Sequence, residues 1–280
     1  MMRKRATDVV ITGAASLTVA AGASIVPARW VGNPARLSRM DRLCGLALVA
    51  CDGALGDAAL TPTAAEWNGE RTAIVFGTAF GCHATNEDYY RGLVREGASG
   101  ASPRLFAYTL PSSPVGEISI HYGVRGPTLV VTNGAPSAID ALAEGAALVA
   151  EGRADRALVC AAEVATPLLA AIVGGALVDA AAALVIERAA DAGARGATPR
   201  GRLVGSAAAF GSVRDVVDAA LANADVPSSA ARRLDDVPGA LAAAPLIALA
   251  RFLAAGERDA FVLVRAADDG GAASAAVVAT

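Results

Sequence analysis

The sequence is poor in aromatic residues and nearly devoid of lysine. Phenylalanine, tryptophan and tyrosine make up 4% of the 280 residues, and Lys4 is the single lysine among 24 basic residues. The formal net charge is −3, and no run of basic residues occurs. This balance excludes the basic surfaces that nucleic-acid-binding proteins use, so no nucleic-acid partner is expected.

Cysteine is scarce as well. Cys44, Cys51, Cys82 and Cys160 follow neither the spacing of a disulfide framework nor that of a metal site. They predict buried thiols in a reduced, cytoplasmic chain. We expect neither a metal nor another cofactor.

The chain also lacks a long apolar run. Val164–Val178 carries no charge but is shorter than the ~18–20 residues that cross a bilayer. The uncharged run Val9–Ala28 has the outline of a signal peptide, yet Asp8 opens it and small residues interrupt it. We interpret that run as a buried first strand and its following loop, and expect no transmembrane helix.

What is abundant is small apolar residues: 54% of the chain is hydrophobic, mostly alanine and valine. A chain of this length buries a sizeable core as one domain or as two fused halves. Short apolar runs alternate with helical segments, which indicates an α/β sandwich with strands buried on both faces.

The predicted strands are Val9–Thr12, Ala73–Phe76, Thr128–Val131, Ala157–Cys160, Ala182–Ile186, Leu203–Ser206, Phe261–Val264 and Ala275–Val278. The predicted helices are Met40–Leu55, Asn86–Glu96, Pro114–Tyr122, Ser137–Gly152, Pro167–Leu177, Val213–Ala224 and Pro238–Ala255. Ala190–Pro199 is predicted to be an exposed helix end and turn.

The most informative segment is GPTLVVTNGAPSAIDALAEGAALVAEGRAD, residues 126–155. An apolar strand, Thr128–Val131, runs into the turn Thr132–Pro136, and a helix opens near Ser137. Such a turn projects one side chain at the mouth of a helix, where free backbone N–H groups favour negative charge.

This stretch resembles the active-site elbow of β-ketoacyl synthases, in which a GP pair, a strand, T-A-C-x-S-G, a long helix and G-x-A-D follow one another. The matching residues are Gly126, Pro127, Ser137, Gly152, Ala154 and Asp155. The cysteine of the family falls on Ala135, and alanine cannot carry an acyl thioester.

Further segments resemble the family in its own order. They are DVVITGAAS (8–16), RMDRLCGLALVACDGALGDAAL (39–60), TAIVFGTAFG (72–81), TLPSSPVGEISIHYGVRGP (109–127), RALVCAAEVATP (156–167), AAAALVIERAADAGARGATPRGRLVG (180–205) and DDGGAASAAVVAT (268–280). The resemblance implies a thiolase-like fold, with two related halves packed around two mixed sheets. We expect one unit over 1–280, with an N-terminal half near 1–170 and a shortened C-terminal half near 171–280.

Other catalytic groups of the family are missing too. Its members use two histidines and a lysine in the C-terminal half, whereas this chain has His83 and His121 before the elbow and Lys4 at its start. Ala267 and Asp269 stand where the family has aromatic residues. Without a thiolate or enolate-stabilising donors, no condensation is expected from this chain alone.

A synthase-like chain without its nucleophile is similar to the chain-length factors, the KSβ subunits of type II polyketide synthases, here of the short kind found in highly reducing, polyene-forming systems. That likeness implies a heterodimer with a catalytic ketosynthase (KSα), acting on chains held by acyl carrier protein, with no membrane partner. It implies a dimer strand at Thr128, Leu129, Val130 and Val131. It also implies that Arg104–Val115 helps to wall the partner's tunnel, with Leu105, Phe106, Tyr108, Leu110 and Ser113 as length-controlling candidates.

Two other functions stay open: a carrier-protein-binding scaffold without a tunnel role, and a divergent thiolase-like enzyme that uses Cys82. The Cys82–His83 pair suggests an activated nucleophile, but adjacent loop residues usually point apart, so a structural or pocket-lining role is favoured. His121 is expected at a surface or interface, Glu163 as a structural cap, and Asn133 as a pocket-lining residue. Ser137 lacks a neighbouring base.

Overall fold

The computed structural model describes residues 8–25, 34–37, 39–64, 67–258 and 260–280. Lys4 and the last residues of the predicted first loop, 26–28, lie outside the described residues. Val9 begins strand β1, Val9–Val19, whose first six residues are buried. The prediction of a buried first strand is therefore confirmed.

The described residues form nine strands. They are β1 (Val9–Val19), β2 (Thr72–Gly77), β3 (Thr128–Val131), β4 (Arg156–Glu163), β5 (Asp179–Arg188), β6 (Gly201–Phe210), β7 (Ala231–Arg233), β8 (Phe261–Ala267) and β9 (Ala272–Ala279). All eight predicted strands are present, and most are longer than predicted. The sequence did not predict β7, because its three residues include two exposed arginines and have no apolar pattern.

The same residues form ten α-helices. They are α1 (Pro34–Leu37), α2 (Arg42–Asp57), α3 (His83–Glu96), α4 (Pro103–Phe106), α5 (Ser113–Tyr122), α6 (Ser137–Ala150), α7 (Pro167–Val173), α8 (Ala189–Ala194), α9 (Val213–Ala224) and α10 (Ala244–Ala255). The seven predicted helices are present. Three are shorter than predicted. A 3₁₀ turn precedes Ala244, Gly174 and Gly175 at positive φ end α7, and α6 ends at Ala150, before Gly152 at φ 70°.

All nine strands join one mixed sheet in the order β3-β2-β4-β5-β1-β6-β9-β8-β7. In the first half, β3, β2 and β4 are parallel, while β5 and β1 run antiparallel to their neighbours. The series β6, β9, β8, β7 repeats the directions of β1, β5, β4, β2 and has no counterpart of β3. The prediction of two related halves with a shortened second half agrees with this topology.

The sheet differs from the prediction in one respect. Instead of two separate sheets, the halves are joined where Val10 pairs with Arg202 and Ile11 with Gly201. Since β5 pairs with β4 and β1, the last strand of the first half extends to Arg188. The division near residue 170 stays a prediction about folding units.

Three apolar clusters define five layers. Helices α2 and α5 cover the outer face of the first half. Helices α6 and α10 lie between the inner faces of both halves, and α9 covers the outer face of the second half. The layers are therefore helices, the first half of the sheet, helices, the second half of the sheet, and a helix. This is the thiolase-like architecture that the resemblance implies.

The repeat extends to two glycines. A β-bulge lies at Gly13 in β1, and another lies at Gly205 in β6. A Cβ at Gly13 would overlap the carbonyl oxygen of Ala54 on α2, and a Cβ at Gly205 would lie 2.5 Å from the carbonyl oxygen of Ala220 on α9. Each glycine therefore lets a helix backbone lie directly on a strand.

Among the described residues, no helix is both long and apolar enough to cross a membrane.

Candidate functional site

Three loops meet at one edge of the sheet. Gly77 pairs with Val131 on one side and with Ala161 on the other, so the parallel strands β2, β3 and β4 end together. Loops at the carboxyl ends of parallel strands form binding and catalytic sites in α/β folds. The loop after β2 therefore lies between the elbow, which follows the edge strand β3, and the loop that follows β4.

The predicted elbow is present at that edge. Strand β3 ends at Val131 and α6 begins at Ser137, with Gly134 at φ 65° in the turn between them. Ala135 follows Gly134 and is partly exposed. Helix α6 thus begins directly behind a side chain that has no atom able to attack a carbonyl.

Ser137 closes the turn. It is fully buried, its Oγ donates to the carbonyl oxygen of Gly134 at 2.6 Å, and it accepts from the backbone N–H of Asn133 at 2.8 Å. Asn133 Nδ2 donates to Asp140 Oδ2 at 2.9 Å. Ser137 therefore stabilises the turn, with its hydroxyl proton donated to Gly134, while Asn133 is exposed.

A carboxylate from the second half lies against the elbow. A Cβ at Gly134 would overlap Asp268 Oδ2, so the Asp268 side chain packs on the backbone beside Ala135. Asp268 Oδ1 accepts from the N–H of Ala272 at 3.0 Å, which fixes the turn between β8 and β9. A negative charge here disfavours a thiolate and repels an anionic substrate.

Glu163 holds the loop that follows β2. It is fully buried at the end of β4 and accepts hydrogen bonds from the Thr78 hydroxyl (3.1 Å) and the N–H groups of Ala79 (2.5 Å) and Phe80 (3.4 Å). Burial raises the pKa of Glu163 to about 7, against the opposing effect of these donors. The predicted structural capping role agrees with these contacts.

This pKa has a measurable consequence for stability. The folded-state pKa of about 7 lies above the ordinary value of 4.5, so the folded chain keeps a proton that the unfolded chain releases. We expect the free energy of unfolding to fall by about 3 kcal/mol as the pH rises from ~4.5 to ~7. Urea titrations at several pH values measure it.

Glu163→Gln is expected to remove most of that decline, because an amide does not titrate. Glu151→Gln, at an exposed helix end, is the matched control and should retain the decline. A decline that persists unchanged in Glu163→Gln would assign it to other groups.

Cys82 and His83 do not form a nucleophile pair. Burial raises the pKa of the Cys82 thiol, and its Sγ donates to the carbonyl oxygen of Thr109 at 2.8 Å. His83 Nε2 lies 3.4 Å from Thr166 Oγ1, and burial lowers the pKa of His83 although Glu87 opposes this. A protonated thiol engaged with a carbonyl is a poor nucleophile.

His121 lies near the end of α5, the helix that precedes β3. Its ring contacts Tyr122 edge to face at 4.7 Å between centroids. Burial lowers the pKa of His121, with Arg36 acting in the same direction. It is half-buried.

The length-controlling candidates lie on and around α4. Phe106 and Leu110 are each 63% exposed, while Leu105, Tyr108 and Ser113 are partly buried. Their own chain holds two of them: Tyr108 OH donates to Glu117 Oε1 at 2.9 Å, and Ser113 Oγ donates to the Ala107 carbonyl oxygen at 3.3 Å. Phe106 and Leu110 thus offer the free apolar surface. The five roles stay predictions.

Strand β3 is one edge of the sheet and pairs only with β2 among the described residues. Its other side has no strand partner within the part of the chain that the structure describes. Thr128 and Leu129 are exposed, whereas Val130 and Val131 are partly buried. Ile120 on α5, 72% exposed, adds apolar surface. The assignment of β3 to a dimer interface stays a prediction.

Two contacts of the site have no local signal in the sequence. The neighbours of Asp268, Ala267 and Asp269, stand where the family has aromatic residues, but no local pattern places Asp268 on Gly134. Similarly, Ser274 donates to Asp140 Oδ1, tying β9 to the first turn of α6. Each contact joins residues that are 134 positions apart in the chain, so no local sequence pattern predicts either.

Within the described parts of the chain, no group of three or more histidine, cysteine or acidic side chains is arranged to hold a metal ion. The four cysteines are buried free thiols, as their spacing predicts.

Comparisons with known proteins point to one family. The model of the β-ketoacyl synthase N-terminal domain matches residues 5–201. The tetracenomycin polyketide synthase ketoacyl synthase alpha subunit of Streptomyces glaucescens is 38% identical over 137 residues, which are 46% of this chain and 31% of that protein. The chain thus spans about a third of the length of this curated relative.

Two solved structures share the fold. A chain of the ishigamide ketosynthase/chain length factor superposes with a TM-score of 0.79 and 23% identity, over 97% of this chain and 99% of that one. A chain of AntDE:AntF, a type II PKS acyl-carrier protein in complex with its ketosynthase bound to the hexaketide, gives 0.78 and 17% identity over 100% of both.

Proposed function

Because this chain belongs to the β-ketoacyl synthase family, whose N-terminal domain it matches over residues 5–201, we propose that it is a non-catalytic chain-length factor. It pairs with an intact ketosynthase in the cytoplasm and helps to shape the tunnel that receives the growing chain from acyl carrier protein. The observation that carries the proposal is the complete elbow with Ala135 in place of a nucleophile.

The surroundings of the elbow support a non-catalytic role. Asp268 lies against the backbone next to Ala135, and Ser137 is occupied within the turn. Neither histidine follows the elbow in the sequence. Thioester exchange requires a thiolate. Ala135 supplies no thiol, and the carboxylate of Asp268 with no histidine after the elbow gives surroundings that would not ionise one.

The free edge of β3 supports a paired subunit. An exposed strand edge is a template for pairing with another chain. The ishigamide relative is a ketosynthase/chain length factor, and the AntDE:AntF relative is a complex of a ketosynthase with an acyl-carrier protein. A partner of the same two kinds fits this chain best.

The enzyme alternative based on Cys82 has less support, because the thiol is buried and donates to the Thr109 carbonyl. The scaffold alternative shares the partners and differs only in having no effect on product length. Variants of the tunnel candidates therefore separate it from the proposed function.

Reconstitution tests the proposal. Alone, the chain is expected to give no condensation, decarboxylation or covalent acyl-protein when incubated with acylated and malonylated carrier protein. Co-expressed with the intact ketosynthase of its own gene neighbourhood, it should co-purify as a heterodimer that condenses. Measurable turnover by the isolated chain, or a failure to co-purify, would overturn the assignment.

A second measurement addresses the tunnel. Phe106→Ala and Tyr108→Ala should lengthen the product and Ser113→Phe should shorten it, with condensation on short acyl chains largely retained. A buried methylene of product gains ~0.8 kcal/mol where room exists, and forcing it into a filled core costs ~1–3 kcal/mol.

Tyr108→Phe is the matched control, since it removes the hydrogen bond to Glu117 but keeps the ring volume. Product length is read by mass spectrometry of the reconstituted complex. If Phe106→Ala, Tyr108→Ala and Ser113→Phe all leave the product distribution unchanged, the segment has no role in length control and the scaffold reading replaces it.

A further inference from the structure

The loop Thr78–Cys82 is firmly held by the sheet. Thr78 N–H donates to the carbonyl oxygen of Val131 at 3.0 Å, and its hydroxyl donates to Glu163. The N–H of Gly81 donates to Thr78 Oγ1 at 2.9 Å. Backbone and side-chain bonds thus fix one side of this loop to β3 and β4.

The other side of the loop contacts the proposed tunnel segment, Arg104–Val115. Gly81, at φ +56°, packs on Pro111: a Cβ atom added at Gly81 would lie 3.3 Å from the Pro111 Cβ atom. Cys82 Sγ donates to the carbonyl oxygen of Thr109 at 2.8 Å. Asn86 Nδ2 donates to the same sulfur at 3.4 Å and so orients the thiol.

Backbone hydrogen bonds in the middle of the segment close short-range turns. The N–H of Thr109 donates to Phe106 (3.2 Å), and that of Ser113 donates to Leu110 (3.0 Å). Local turns fix the shape of the segment but not its distance from the sheet. That distance depends on tertiary contacts: the Cys82 bond, the Pro111 contact and the bond from Tyr108 to Glu117, together with the packing of Tyr108 on the outer apolar cluster and of Phe106 on Tyr89.

We infer that Cys82 is a positioning residue for product length: its thiol holds the Thr109 carbonyl, and with it Tyr108 and Leu110 on either side, at a fixed distance from the sheet. This inference rests on the function proposed above. A wall that selects by volume must be held to a fraction of an ångström, because a looser wall accepts chains of several lengths.

The hydrogen bond from Cys82 to the Thr109 carbonyl predicts different results for alanine and for serine at position 82. Serine keeps a donor at this position, whereas alanine leaves the Thr109 carbonyl without its partner. Cys82→Ala in complex with the ketosynthase should raise the fraction of off-length products about five-fold, with total turnover changed by less than about two-fold. Cys82→Ser should restore the wild-type distribution.

Cys51→Ala is the matched control, since Cys51 is a buried thiol on α2 outside the segment and its loop. A second readout needs no partner and works with each soluble variant. Amide hydrogen exchange at Ala107–Ser113 should accelerate about five-fold in Cys82→Ala and remain near wild type in Cys82→Ser and Cys51→Ala.

These outcomes distinguish a failure of the positioning role of Cys82 from a failure of the proposed function. If Phe106→Ala shifts product length but Cys82→Ala changes neither product nor exchange, the positioning role is wrong and the proposed function stands. If the wild-type chain forms no productive complex, both are wrong. If Cys82→Ser behaves like Cys82→Ala, the effect comes from thiol volume, and the inference fails.

Discussion

Leu129→Asp is expected to weaken the proposed complex with the ketosynthase about 30-fold or more, because a charge then lies on the strand edge that we propose to be the dimer interface. Leu129 is 39% exposed on β3, so its replacement leaves the chain's own core intact. Titration of labelled chain against the purified ketosynthase measures the change in Kd. Circular dichroism checks that the variant is folded.

The control is Phe210→Asp, which places the same charge on an apolar residue that is 79% exposed at the end of β6 in the second half. It should bind as the wild type does. Equal affinities for wild type and Leu129→Asp would remove β3 from the interface. Equal losses in both variants would indicate a general effect of charge rather than pairing at β3.

The largest expected effect on stability comes from Gly13→Ala. The added methyl group would overlap the Ala54 carbonyl and come within 2.7 Å of the Ala58 Cβ atom, so α2 must move away from β1. We expect a loss of about 3 kcal/mol or more in the free energy of unfolding, at the upper end of the range for overpacked cores. Thermal unfolding and soluble yield measure it.

The second half offers the corresponding test. Gly205→Ala places a methyl group 2.8 Å from the Ala224 Cβ atom on α9 and should destabilise the chain in the same way. Gly56→Ala, on α2 with open space around it, should instead raise stability by about 0.5–1 kcal/mol. If Gly13→Ala and Gly56→Ala have equal effects, the close packing of α2 on β1 is unimportant.

The repeat itself was only partly readable from the sequence. The segments around Gly13 and Gly205 share little beyond an apolar run and a glycine, so no internal repeat was evident. The bulges and the helix contacts make the equivalence plain, because both glycines meet a helix carbonyl in the same way. The pairing of β1 with β6 involves two residue pairs, too few to leave a pattern.

The elbow is likewise only partly predictable from the sequence. That Ala135 occupies the turn between a strand and a helix follows from local signals: β3 is apolar, Gly134 supplies the positive φ, and α6 follows directly. That Asp268 packs on Gly134 does not follow, since the β8–β9 turn and the elbow are brought together only by the packing of the two halves. The sequence marked the loss of aromatic residues there without locating the carboxylate.

By itself, the sequence determined the alternation of strands and helices, the family likeness and the alanine at the elbow, because periodicity, caps and residue chemistry are local. The tertiary structure alone decided that one sheet joins both halves and that Glu163 is buried with a raised pKa. It alone also decided that β3 lies at an edge of the sheet that the described residues form, and that Cys82 donates a hydrogen bond to Thr109. Each of these depends on contacts between residues far apart in the chain, whose geometry is set by layer packing and strand order rather than by any short pattern.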